Sequence, residues 1–231
     1  IKDRQGRDHK KGGFPMTMTN HLNDQSQAIQ HLVKRDKRLA KLIATIGPID
    51  YRTSENAYGY LVANIVGQML SNKVAAVILE RLQVLCGGEI TITTINKLSD
   101  DAIHGVGLSK SKVGYIRNLT TAVESGQILF DRYPAMSDEA VLKDLTTVRG
   151  IGSWSAKMYL FSVLDRPDVL PVEDKAFLQG YGWLYKTTDF SAAAVRKKAE
   201  KWRPYRTIAA KYLYRAVDLG LTKTPFHLFK D

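Results

Sequence analysis

The sequence predicts an all-α fold, on three observations. Apolar residues recur at three- and four-residue spacing through most of the chain. Ser, Asp or Asn stands where these runs begin and Gly where they end. No succession of alternating, turn-punctuated segments indicates a sheet.

Taken in order, residues 1–19 read as a disordered tail without apolar period. Residues 1–15 read as an expression-vector remnant, with the native start at Met16 or Met18. The alternative is a native basic arm. From Asp24 the pattern is helical, with Ile29, Leu32 and Val33 on one face and Leu39, Leu42 and Ile43 on another. Gly47-Pro48 stops it. Tyr58 to Leu70 is apolar almost all round, as a central buried helix would be. Asn72 to Cys86 is amphipathic and ends at Gly87-Gly88. Ile90 to Ile95 is β-branched but short, and reads as a loop leading into a small helix. Ser109 caps a helix running to about Glu124. Further helices follow at Asp138 to Leu145, Trp154 to Leu164, Asp174 to Trp183, Ser191 to Lys201 and Pro204 to Leu219.

Charge narrows the partner. The net charge is +11, and residues 1–15 supply five cations and two carboxylates, so the chain without them keeps +8. A polyanion is the leading partner. Cys86 is the single cysteine, which excludes an internal disulfide and a four-cysteine iron–sulfur cluster. His104 and the other histidines are scattered and suggest no zinc site. No apolar run approaches the ~18 residues a membrane span needs. A cytoplasmic, nucleoid-associated bacterial protein is expected. The run Arg196-Lys197-Lys198 with Lys201 and Arg203 reads as a solvated helix face.

Between the helices at Asp138 and Trp154 lies Val148-Arg149-Gly150-Ile151-Gly152. Two glycines two apart allow a tight turn and close approach of another molecule. The following helix begins with unpaired N–H groups and a positive dipole end, an anion site. Ile151 can plug the gap between the helices. By itself the pattern also fits an ordinary helical hairpin.

Leu145-x-x-Val148-x-Gly150-Ile151-Gly152-x-Trp154-x-Ala156 resembles the hairpin of the helix-hairpin-helix DNA glycosylase superfamily. Leu170-Pro171-Val172-Glu173-Asp174 resembles its Pro-x-x-Asp segment, and the spacing from Trp154 to Asp174 is similar to that of the 3-methyladenine DNA glycosylase II branch. Ile65 to Ser71 and Trp202 to Arg215 match as well, so the resemblance covers roughly residues 25 to 220. It implies two helical lobes flanking a DNA-binding cleft, residues 20–63 with 170–231 and residues 64–169, and the hairpin at the cleft mouth. The resemblance is to the compact version, and the N-terminal β domain of some relatives is not expected.

The resemblance implies a monofunctional glycosylase that hydrolyses the N-glycosidic bond of 3-methyladenine or 7-methylguanine in duplex DNA during base excision repair. Asp174 is the catalytic carboxylate it implies; from the sequence alone Asp174 is the N-cap of the helix at Lys175, and the two roles are compatible. Trp154, Tyr214 and Met158 line the implied base pocket, Met158 standing where relatives often carry an aromatic. Met69, with Gln68, is the implied wedge; the competing reading makes Met69 the next buried residue after Leu61 and Ile65. Gly150, Gly152, Ser155 and Lys157 are the implied phosphate contacts. The backbone carbonyls of Thr146, Val148 and Ile151 are the implied site of a structural Na⁺ or K⁺; no other cofactor is required. Trp154 occupies the position of the lysine that relatives with lyase activity use. Two alternatives stay open: a non-catalytic helix-hairpin-helix DNA-binding protein, and a glycosylase-lyase for oxidised bases. A monomer is expected.

Overall fold

A computed structural model describes residues 16–228. The proposed remnant at residues 1–15 lies outside them. The order is β1 (Met16–Leu22), α1 (Gln27–Arg35), α2 (Lys37–Ile46), β2 (Ile49–Ser54), α3 (Ala57–Gly67), α4 (Asn72–Leu85), α5 (Ile92–Asn96), α6 (Asp100–Gly105), α7 (Lys110–Glu124), α8 (Asp138–Leu145), α9 (Ser153–Ser162), α10 (Lys175–Tyr185), α11 (Ala192–Ala199) and α12 (Arg206–Asp218), with three short 3-10 turns. The fold is helical as predicted, including a small helix, Ile92–Asn96, that begins within the Ile90 to Ile95 stretch, and a Ser109 cap on α7.

Two corrections apply. The tail expected to extend to residue 19 gives way to β1, which pairs with β2 in a two-stranded sheet. Ile49-Asp50-Tyr51-Arg52 alternates apolar and polar residues, and a short neighbouring strand is enough to pair its backbone. The chain also divides elsewhere: one unit contains Ser54–Tyr159 and the other Thr19–Thr53 with 160–228, so the divisions fall ten residues before those implied. The reason is α3, which packs against α4 and α7.

In the first unit Leu61, Val62 and Ile65 of α3 are fully buried with Leu82, Ile95, Ile116 and Leu119. Tyr58 and Thr120 share a buried hydrogen bond at 2.7 Å. Arg117 fixes α7 by donating to the carbonyls of Ile95 and Leu98 and to the Asp100 carboxylate. That anchors the helix whose other face supports the hairpin.

In the second unit α12 packs against α10 and α2, and α1 against α2. Its polar centre is Asp36, which is 2% exposed and separates α1 from α2. One carboxylate oxygen caps α2 by accepting from the backbone N–H groups of Arg38 and Leu39. The other accepts from Tyr185 Oη, from Trp202 Nε1 at 2.9 Å and from Lys201 Nζ at 2.9 Å. Burial alone would raise its pKa, but these hydrogen bonds outweigh it and hold the carboxyl below its ordinary value. Asp168 ties the start of α12 by accepting from Arg206 at 2.7 and 3.0 Å and from Arg203 at 2.8 Å.

Candidate nucleic-acid interface and active site

The hairpin joins α8 to α9, with Val148 and Ile151 buried beneath it. Gly150 has φ +112, and a Cβ there would lie 2.4 Å from the Cβ of Tyr115. The fold itself therefore requires this glycine. Gly152 is different. It is exposed, has no positive φ, and a Cβ there would meet nothing within 4 Å. No packing reason among the described residues accounts for it, while a partner backbone drawn against the turn would. Gly152 accepts from Ala156 N–H as the first residue of the α9 turn, so the N-terminal end of α9 begins beside it.

Two side chains hold the hairpin from below. Asn118 of α7 donates to the carbonyl of Arg149 at 3.1 Å, and Gln68 donates to the carbonyl of Gly150 at 2.9 Å. Gln68 is also the residue that ends α3. Immediately after it, Met69 takes φ +58 and projects fully into solvent. The buried position offered by its four-residue spacing from Leu61 and Ile65 is thus excluded, because α3 stops at Gly67. A left-handed non-glycine residue costs about 1–2 kcal/mol and persists only where its surroundings hold it. Lys112 supplies that hold, its Nζ donating to the carbonyls of Val66 at 2.8 Å and Gln68 at 2.7 Å. Burial lowers the Lys112 pKa. Tip and hairpin form one hydrogen-bonded assembly.

Of the other expected residues, Trp154 and Lys157 are half-buried on α9 and Met158 is buried, its carbonyl accepting from Tyr60 Oη at 3.1 Å. Ser155 corrects the expectation of a phosphate contact: it is 3% exposed, packed inward on α9, and its hydroxyl is not presented at the surface. Ser153, at the exposed start of α9, is the hydroxyl-bearing residue next to Gly152. The Val148 carbonyl accepts from Ile151 N–H at 3.0 Å and keeps a second lone pair. Neutral backbone oxygens such as those of Thr146, Val148 and Ile151 are the donor type that a hard cation takes. Among the described residues no group of His, Cys, Asp and Glu is arranged to hold a metal.

Asp174 is half-buried and caps α10, accepting from Phe177 N–H at 2.9 Å. The cap is real, and it fixes the carboxylate at a helix N-terminus. In the same unit Tyr214 meets Phe161 edge to face at 5.8 Å. Both line a cavity of about 560 Å³ with Tyr51 and Lys211. Lys211 Nζ sits 3.8 Å from the Tyr51 ring centroid and 4.4 Å from that of Phe161. Asp165, at φ +48, lies 3.7 Å from Nζ and accepts from Tyr51 Oη at 2.9 Å. Burial pulls the lysine down to about 8, against the pull of Asp165. Lys112, Asn118, Tyr115, Tyr51, Asp165 and Lys211 carry no local sequence signal of a site. Only the three-residue spacing of Lys211 and Tyr214 hints that they share a face.

The HhH-GPD model, described as a superfamily of base excision DNA repair proteins, matches residues 62–204. The structure is similar to that of a DNA-3-methyladenine glycosidase from Bacillus halodurans, with TM-score 0.80 and 32% identity, covering 90% of this chain and 97% of that one. It is also similar to a 3-methyladenine DNA glycosylase from Schizosaccharomyces pombe in complex with abasic DNA, with TM-score 0.75 and 25% identity, covering 89% of this chain and 100% of the other. DNA-3-methyladenine glycosylase 1 of the same yeast is 27% identical over 217 residues, 88% of this chain and 95% of the relative. With the family model matched over residues 62–204 of a chain that carries a glycine turn open to a partner backbone and a strained tip beside it, the chain belongs to the HhH-GPD superfamily of base excision DNA repair proteins.

Proposed function

We propose that the chain is a monofunctional DNA glycosylase that removes alkylated purines, 3-methyladenine or 7-methylguanine, from duplex DNA by hydrolysis. The observation that carries this reading is the tip-and-hairpin assembly. An exposed Met69 on a strained backbone is tied through Gln68 to the Gly150 turn. A protein that only gripped a duplex has no use for an apolar side chain held out in that way, whereas extrusion of a base needs something to enter the stack. The relatives named above, called 3-methyladenine glycosylases, support the choice of substrate.

In this reading the hairpin N–H groups of Gly150, Gly152 and Trp154 hold a phosphate, with Lys157 nearby on α9 adding charge. Met69 fills the gap left by the extruded nucleotide. Asp174, fixed by its cap to Phe177, faces the deoxyribose and stabilises the positive charge that grows on the sugar as the base departs. Water then completes the substitution at C1′ and gives up its proton to that carboxylate. An alkylated purine already carries positive charge and leaves without a strong general acid. The resemblance to the family assigns aromatic stacking to Trp154 in the first unit and to Tyr214 in the second, each through its electron-rich face. The carbonyls of Thr146, Val148 and Ile151 would hold Na⁺ or K⁺, which would supply charge beside the phosphate and no chemistry of its own. The protein acts as a monomer in the bacterial cytoplasm.

The test is excision from methylated duplex by wild type and Asp174→Asn. Wild type releases 3-methyladenine or 7-methylguanine; the variant binds DNA and releases neither. Normal excision by Asp174→Asn removes the carboxylate from the mechanism. Borohydride trapping of a covalent adduct overturns the hydrolytic reading in favour of a lyase.

A further inference from the structure

The cavity that Tyr214 lines already holds a cation belonging to the chain. Lys211 is 9% exposed at its side chain, and its ammonium lies against the rings of Tyr51 and Phe161. Phe161 in turn meets Tyr214, one turn further along α12. Ring, ammonium, ring and Tyr214 thus make one continuous wall. Asp165 steadies the ammonium with one oxygen, while its other oxygen accepts from Tyr51 Oη and, at 3.4 Å, from Asn20.

An aromatic face attracts a cation through its negative quadrupole, and does so most strongly away from water. Two of the faces on this wall are committed to Lys211. A cationic base entering the cavity therefore meets fewer open faces and a like charge, softened by Asp165. An uncharged modified purine escapes the repulsion. It also presents ring nitrogens or a carbonyl oxygen, and an ammonium has three N–H donors to offer.

We propose that Lys211 is a specificity-determining residue that tunes the charge preference of the base cavity, narrowing the advantage that cationic N-alkylated purines would otherwise hold over uncharged modified purines with an acceptor edge. This rests on the reading of Tyr214 as a stacking partner of the extruded base. Both classes of lesion remain substrates, and Lys211 governs their ratio.

The experiment compares single-turnover excision of 7-methylguanine, which is cationic, and of hypoxanthine, which is uncharged, from otherwise identical duplexes. Lys211→Met keeps the unbranched stem and removes the charge, and raises the 7-methylguanine to hypoxanthine ratio by about thirtyfold, the worth of one desolvated cation–π contact. Asp165→Asn leaves the ammonium uncompensated and moves the ratio the other way. A residue that merely supported the fold would slow both lesions together and leave the ratio fixed. Should Lys211→Met not fold, the direction of change in Asp165→Asn decides. Unchanged ratios in both variants, with wild type excising 7-methylguanine normally, overturn this inference and leave the glycosylase reading standing. A wild type that releases neither base overturns both.

Discussion

The two hairpin glycines give the sharpest prediction, because the same substitution should have opposite consequences at positions two residues apart. At Gly150, alanine must place a Cβ 2.4 Å from Tyr115 Cβ and 2.5 Å from its Cγ, at φ +112. Overpacking of this kind costs about 1–3 kcal/mol, and a disfavoured backbone region about 1–3 more. Gly150→Ala should therefore lose roughly 4 kcal/mol of stability. At Gly152 the new Cβ meets nothing within 4 Å and no positive φ is required. Reduced freedom of the unfolded chain contributes about 0.4–1 kcal/mol, offset by alanine being a poorer helix cap than glycine. Gly152→Ala should stay within about 1 kcal/mol of wild type. Its effect belongs to DNA: a methyl group standing where a phosphate must approach should weaken binding about tenfold, or about 1.4 kcal/mol. Urea unfolding followed by circular dichroism reads the first quantity. Fluorescence anisotropy with a labelled abasic duplex at fixed salt reads the second. Wild-type affinity in Gly152→Ala would refute the reasoning that this glycine serves the partner, and wild-type stability in Gly150→Ala would refute the packing argument against Tyr115.

Lys112→Met deletes two charge-assisted hydrogen bonds to carbonyls at the end of α3. Discounted for partial exposure, that is about 2 kcal/mol of stability in urea unfolding, and excision should fall further than stability explains because Met69 loses its hold. Equal rates in folded variant and wild type would sever Lys112 from the tip. Asp36→Asn keeps the α2 cap but removes the charge that Lys201 and Tyr185 meet, costing about 2–3 kcal/mol at pH 7. Because the folded-state pKa of Asp36 is lowered, its contribution is fully present above the unfolded value of about 3.9 and is lost as pH falls through the folded value. Wild type and variant should therefore converge in urea unfolding below pH 4, and a constant gap down to pH 2 would contradict the sign.

Much of the helical order is legible in the sequence because its signals are local. Ser109, Ser137 and Asp174 each stand at a helix start and each accepts from a backbone N–H three residues on. The hairpin is legible because a glycine pair, a buried isoleucine and flanking helices lie within one short stretch. What escapes is long-range. Asp36 finds Tyr185 and Trp202 149 and 166 positions away, and nothing near Asp36 in the chain announces them. Lys211 reads as one more surface cation in a basic chain, and only the fold sets it between Tyr51 and Phe161. The alternation in Ile49 to Arg52 is visible, but its partner lies in a stretch with no apolar period, so no pairing can be read. Ser155 misleads for a simpler reason. Helical spacing counted from Gly152 does not say which face α9 turns inward.

The bond from Gln68 to Gly150 has a kinetic consequence. A probing side chain that had to be ordered afresh at every base pair would make each inspection slow. Here the bond and the Lys112 clamp complete that ordering when the chain folds. In the function proposed above, the protein then scans with Met69 already extended, sampling undamaged steps briefly and dwelling only where a base yields.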